Sequence, residues 1–252
     1  TSFTPATTGS LSVVKYDGDW VHSSKVGHGT AELSNGDKYE GPFVHPGKFH
    51  GDGTMTFADG RKYIGAFING QRTAPKAKLI HKTGDYYEGP FDNGKMTGEG
   101  TITYKSGKTF AGTFKDGRKV TGKMVFPDKK EYEGGWKADK PHGQGVCKFA
   151  NGDLYSGEYC EGRLQGEGEM KYADGIRYYK GTWAADKPHG FGLLHMLNGA
   201  IVEGQFENGR STDIKTLKEP EGKSPKSQSP KLSPRGAAAP KAAVPKAAAA
   251  AP

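Results

Sequence analysis

Cysteine is almost absent: Cys147 and Cys160 are the only two in 252 residues. So few thiols exclude a small secreted scaffold held by a disulfide framework, and they fit a reducing cytoplasmic setting with two free thiols. A single bridge between the two is the minor alternative. Long apolar runs are also missing. Residues 191–194 and the alanines at 247–251 fall far short of the roughly 20 residues that a membrane-spanning helix needs. No N-x-S/T sequon occurs. No charged segment followed by an apolar one opens the chain, so a secretory signal is not expected.

Glycine and aromatic residues are abundant. Thirty-nine residues are Gly and 11% are aromatic. Glycine weakens helices and strand interiors alike, so this many must serve turns and close backbone packing. The aromatic content separates the chain from simple disordered sequences. Formal charge is +8, but it is uneven: beyond residue 210, eight Lys or Arg stand against three acids, which leaves about +3 for everything before.

The phrase YEGGWKADKPHGQG at 132–145 returns as YKGTWAADKPHGFG at 179–192. Aligned on Tyr-x-Gly-x-aromatic, repeat starts fall at Tyr16, Tyr39, Tyr63, Tyr87, Phe110, Tyr132, Tyr155, Tyr179 and Val202, at intervals of 22 to 24 residues. A fixed period of this length marks a repeat architecture. Within the unit 87–109, Tyr87, Gly89 and Phe91 alternate, as do Gly98, Gly100, Ile102 and Tyr104. Alternation with period two predicts strands. The Asn-Gly and Asp-Gly pairs between them favour the positive φ angles of tight hairpin turns.

The predicted fold is therefore all-β: an elongated, twisted antiparallel meander of about eight β-hairpin repeats and some sixteen or seventeen strands. At about 4.8 Å per strand it would run roughly 80 Å. The predicted layout is an N-terminal arm at 1–15, the array at 16–210 with a terminal half-repeat, and a disordered basic tail at 211–252. Two units break the pattern. One has Ala74 to Ala77 where Gly-x-Gly belongs, and the other has Lys129 at a turn glycine. Loosened pairing or a bend is expected at both.

The residues assigned to the repeat core are the aromatics Tyr16, Trp20, Tyr39, Phe43, Tyr63, Phe67, Tyr87, Phe91, Phe110, Phe114, Tyr132, Trp136, Tyr155, Tyr159, Tyr179, Trp183 and Phe206. Their partners are glycines of two kinds of strand. Gly41, Gly89, Gly134, Gly157 and Gly181 follow the repeat tyrosine. The pairs Gly51 and Gly53, Gly98 and Gly100, Gly143 and Gly145, Gly166 and Gly168, and Gly190 and Gly192 open the second strands. A ring on one strand can lie over a glycine on its neighbour, and this large–small fit lets a thin sheet pack.

The segments YEGPFDNGKMTGEGTITYKSG and YEGGWKADKPHGQGVCKFANGD resemble the MORN repeat (membrane occupation and recognition nexus). The resemblance covers about 16–210. It implies an all-β, usually non-enzymatic scaffold that organises protein assemblies. Such arrays occur in radial-spoke heads of cilia and flagella, in junctophilins at membrane contacts, in parasite cytoskeletons and in some lipid kinases.

Candidate chemistry is sparse. Ser106-Gly107-Lys108-Thr109 ends like a phosphate-binding loop, but position 102 is Ile rather than the required Gly and a strand follows instead of a helix. His28, His50, His142 and His189 sit beside repeat glycines and would form a spaced row rather than converge on a metal ion. Glu40, Glu88, Glu133 and Glu203 read as a solvated ladder rather than as paired catalytic carboxylates. No catalytic, cofactor-binding or metal-binding residue is assigned, no cofactor is expected, and the chain is read as not an enzyme.

Three Ser-Pro-basic triplets, at Ser224, Ser229 and Ser233, are candidate phosphorylation sites whose phosphates would cancel tail charge. The partners expected are proteins of a large cytoskeletal assembly, with a ciliary axoneme and its radial-spoke head as the best guess. Self-association through edge strands is also expected to be open to it. A module that binds anionic phospholipid through array or tail is the alternative, and nucleic acid is disfavoured.

Overall fold

The computed structural model describes residues 12–220. Twenty-one strand segments, from Val13–Val21 to Arg210–Lys218, form one antiparallel sheet. Each pairs with its neighbours in the chain, so the sheet is an open meander. Three segments, Lys48–Phe49, Gln71–Arg72 and Lys95–Met96, are two residues long and lead straight into Gly51–Thr56, Ala74–Ile80 and Gly98–Thr103. Taken with their continuations, the segments make eighteen strands in nine hairpins.

That is one strand more than the sequence pattern yields, and the extra one is Arg210–Lys218. Residues 211–218 therefore belong to the sheet rather than to a tail, and the last unit is a full hairpin rather than a half-repeat. At the other end, strand Val13–Val21 begins inside the stretch read as an arm. Residues 221–252, including Ser224, Ser229 and Ser233, lie outside the described residues.

Register is set by glycine. Opposed pairs link Gly18 to Gly29 and Gly41, and then Gly100 through Gly112, Gly122, Gly134, Gly145, Gly157, Gly168, Gly181 and Gly192 to Gly204. This file of bare backbone crosses the strands at their middle. In the irregular unit, Ala77 takes the place of a glycine opposite Gly89, and the register shifts between Ala74 and Ala77, yet the seven-residue strand still forms. Lys129 holds its turn with a left-handed backbone, φ 69°.

The two glycines of each Gly-x-Gly pair do different jobs. Between Gly134↔Gly145 and Trp136↔Pro141, three residues of one strand oppose one of the other. The extra length is absorbed at Gly143, whose φ of 72° is left-handed, a region closed to most side chains. Gly51, Gly98, Gly166 and Gly190 repeat that conformation. The second glycine of each pair lies instead in the central file. Bulges bend a strand and increase its twist, and here they recur beside the file.

Candidate functional site

The aromatic residues form one continuous chain of edge-to-face contacts. Within a unit, Tyr39 meets Phe43 at 5.2 Å between centroids, and across units it meets Phe67 at 5.1 Å. The zigzag continues through Phe91, Phe114, Trp136, Tyr159 and Trp183 to Tyr179 and Phe206. Interplanar angles near 80–90° fit the ring quadrupoles, which favour edge against face.

Each tyrosine lies flat on the glycine file. A methyl built on Gly53 would fall 2.6 to 2.8 Å from atoms of Tyr39, and one on Gly145 would fall 2.5 Å from the Tyr132 hydroxyl. The hydroxyl donates to the carbonyl three residues on: Tyr63 to Ala66 at 2.9 Å, Tyr87 to Pro90 at 3.1 Å, Tyr132 to Gly135 at 2.9 Å. Phe110 occupies the same slot with no hydroxyl and is just as buried. Tyr87→Phe should therefore keep the ring packing and lose one hydrogen bond, about 1 kcal/mol. Equilibrium unfolding in urea measures this, and the midpoint should fall at unchanged slope.

Over the rings, buried or half-buried, lies a set of residues that share a position but not a chemical type. Facing the second aromatic of each unit stand Phe49, Arg72, Met96, Lys119, Pro141, Leu164 and Pro188. Phe49 stacks on Tyr39 at 4.0 Å, and the cations of Arg72 and Lys119 lie over the Tyr63 and Phe110 rings. Lys119 also pairs with Asp139 at 2.9 Å. Burial works against its charge, but Tyr104 and Asp139 outweigh it and the pKa is raised. These residues close the aromatic face, and Tyr63, Tyr87, Phe110, Tyr155 and Tyr179 have no exposed surface.

Burial raises the tyrosine pKa values, to about 12 for Tyr39 and Tyr132, and further for Tyr63, Tyr87, Tyr155 and Tyr179. Cys147 is buried and its thiol is also pushed up, whereas Cys160 is exposed; both are free. The buried Tyr159 hydroxyl faces the Cys147 thiol, a weak acceptor, and has no stronger partner. Other units put Phe or Trp there. Removing a poorly satisfied buried hydroxyl while keeping the ring costs little or stabilises. Tyr159→Phe should thus leave the thermal midpoint unchanged or raise it, the opposite sign to Tyr87→Phe.

Trp20 departs from its assignment to the core: it is 55% exposed. An interior aromatic at this place, such as Phe43, packs between the tyrosine of its own unit and that of the unit before. Among the described residues, Trp20 has Tyr16 on one side and the Lys25 ammonium at 5.0 Å. Tyr16 itself is half-buried. At the far end, Val202 stands in the tyrosine slot and Ile214 faces Gly204 in the file, so a small residue and a large one exchange places.

The motifs weighed for chemistry are dispersed by the meander. Gly107 donates to the Tyr104 carbonyl in a tight turn, and strand Thr109–Lys115 follows. His28 and His189 are exposed, His50 and His142 half-buried, each on its own strand or strand junction. Glu40, Glu88 and Glu133 are exposed and Glu203 half-exposed on the face opposite the rings. Among the described residues, no group of His, Cys, Asp or Glu has the arrangement to hold a metal ion. No helix among them is long and apolar enough to cross a membrane.

The surface left for recognition is that opposite face and the two sheet edges. A shallow depression of about 510 Å³, lined by Glu99, Thr113, Thr121, Lys123, Glu133 and Gln144, lies mid-array. Lys78–Glu88 and Lys123–Glu131 pair across neighbouring strands at 3.2 and 2.7 Å. Exposed apolar side chains lie on both edges, Val14, Trp20 and Val21 on the first strand and Ile214 and Leu217 on the last, and also on interior units, as at Ile68, Val146, Phe191 and Leu197.

A family model of the MORN repeat matches residues 16–38, 47–60, 87–109, 110–130, 132–154, 155–177 and 179–200, together more than half of the chain. No curated protein matches it. Among solved structures, it is similar to the TCP domain of Drosophila melanogaster SAS-4 in complex with a proline-rich motif of Ana2. Identity there is 13%, coverage 62% of this chain and 85% of that one, and TM-score 0.39. The TCP10 domain of Danio rerio CPAP, in complex with a STIL peptide, is 15% identical over 81% of this chain and all of that one, with TM-score 0.29. At such scores neither likeness bears on what this chain binds.

Proposed function

The chain belongs to the MORN repeat family, and from that premise we propose that it is a non-enzymatic structural scaffold holding proteins together in a cytoskeletal assembly. The observation that carries this reading is where the chemistry-bearing residues went. Rings, glycines and covering side chains are used up in packing unit against unit. What remains outside is an extended strand surface with two edges, the kind of surface repeat proteins offer to partners.

The finer reading places the scaffold in a ciliary or flagellar axoneme, in a radial-spoke head. It rests on analogy with family members built into that structure. Detergent extraction of native cells followed by a salt series, with the protein followed by immunoblot, tests it. Retention in the detergent-resistant axoneme and release only at high salt are expected. Release with membrane markers would overturn the cytoskeletal reading in favour of attachment to anionic lipid, where binding to acidic vesicles should weaken with salt. A third outcome, stable co-purification with a catalytic partner, would make the array an accessory module instead.

A further inference from the structure

Every boundary between units inside the sheet joins the second strand of one hairpin to the first strand of the next, antiparallel. Ser24–Leu33 with Lys38–Val44 and Arg163–Lys171 with Tyr178–Ala184 are two of these. Among the described residues, two strands have one side without a strand partner: Val13–Val21, a first strand, and Arg210–Lys218, a second strand. They are the two halves of an interior boundary.

We propose that copies of this chain add end to end, the Arg210–Lys218 strand of one pairing antiparallel with the Val13–Val21 strand of the next. Unpaired strand edges invite such addition, and proteins that avoid it blunt their edges. Here both edges carry charges, yet between them they also expose apolar side chains: Trp20 is 55% exposed, Val21 50%, Ile214 38% and Leu217 48%. Among the described residues, Trp20 and Phe206 end the zigzag, each with a ring on one side.

Charge disfavours one alternative, the pairing of two first edges. Exposed Asp17 and Asp19 stand on the first edge, and Arg210, Lys215 and Lys218 with Asp213 on the last. Two first edges centred on each other at Gly18 would set Asp17 against Asp19 twice, and like charges directly opposite destabilise a sheet. Placing Trp20 against Ile214 sets Asp19 against Lys215. The register that places Gly18 against Ile214 sets Asp17 against Lys215 but Asp19 against Asp213, whereas the first register opposes no like charges. A contact between unlike surfaces leaves one free edge of each kind on the product, so addition continues past a dimer into a closed ring or an open series.

Sedimentation of the purified full chain over a concentration series tests this without any cellular partner, so its failure is separate from failure of the scaffold reading. Mass should rise past a dimer. Asp19→Lys or Lys215→Asp alone should lower the apparent association constant at least several-fold, and the two together should restore it. Both side chains are exposed, so circular dichroism should remain that of the parent. A monomer at every concentration, as when residues 1–11 or 221–252 cover an edge, would overturn the proposal. So would a series that stops at two, or charge variants without effect.

Discussion

Gly168→Val should strongly destabilise the array, with a thermal midpoint far below that of the parent. A methyl on Gly168 would fall 2.5 Å from Cζ of Tyr155, with the hydroxyl closer still. That ring cannot step aside. It has no exposed surface, its hydroxyl donates to the Glu158 carbonyl at 3.1 Å, and Tyr159 and Trp183 press on it edge-on. Overpacking costs about 1–3 kcal/mol per site where neighbours can give, and more where they cannot. Valine adds two methyls beyond the first, in a domain whose whole stability is on the order of 5–15 kcal/mol. Thermal unfolding by far-ultraviolet circular dichroism reads the result. The control is Gly117→Val, at a turn glycine with nothing within 4 Å of the added carbon. Its φ of 78° is strained for valine, but it meets no ring, so its loss should be the smaller one.

Alkali should unfold the array in one steep step above about pH 10, the ordinary range for a tyrosine. The folded-state pKa values of Tyr39, Tyr63, Tyr87, Tyr132, Tyr155 and Tyr179 all lie above that range, because burial penalises the phenolate. A group whose folded pKa is raised contributes stability that is fully present below its unfolded pKa and is lost as pH rises through the folded value. Six such groups in one sheet lose it together. Chemical denaturation at a series of pH values should give a stability that is flat with respect to these groups below pH 10 and falls steeply from there toward pH 12. Phenolate absorbance should rise as a single transition with the loss of strand signal. Tyrosines ionising one by one in a folded array would show that the rings are reachable by solvent.

What the sequence made legible was whatever repeats in identity. Alternation and the 22-to-24-residue spacing predict the strands and the meander, because Tyr-x-Gly and Gly-x-Gly must recur wherever a ring lies on the file. The covering residues were not legible. Phe49, Arg72, Met96, Lys119 and Pro141 share only the need to lie over a ring, and a phenyl, a guanidinium, a thioether, an ammonium stem and a pyrrolidine all meet it. Gly143 and Gly145 look alike in sequence, yet one bends a bulge through a left-handed backbone and the other makes room for a ring.

The last strand was hidden by a compensated exchange. With Val202 in place of tyrosine there is no ring to accommodate, so Ile214 can occupy the position of a file glycine, and RSTDIKTLK no longer spells the pattern. Trp20 misled in the opposite way. It carries the right residue type at the right spacing, but burial there is supplied by a preceding unit, which local spacing cannot reveal.

That natural exchange suggests the most direct test of the account's central claim, that rings seated on a glycine file hold the array together. A double-mutant cycle between Tyr155 and Gly168, using Tyr155→Val and Gly168→Ile followed by urea unfolding, would recreate the Val202–Ile214 pairing inside the array. Each single change should be strongly destabilising, the first by leaving a cavity and the second by striking a fixed ring. The double variant should recover at least ~1 kcal/mol relative to their sum, within the range of coupling seen for residues in contact. Strict additivity would mean that the ring and the glycine do not depend on each other, and would contradict the account.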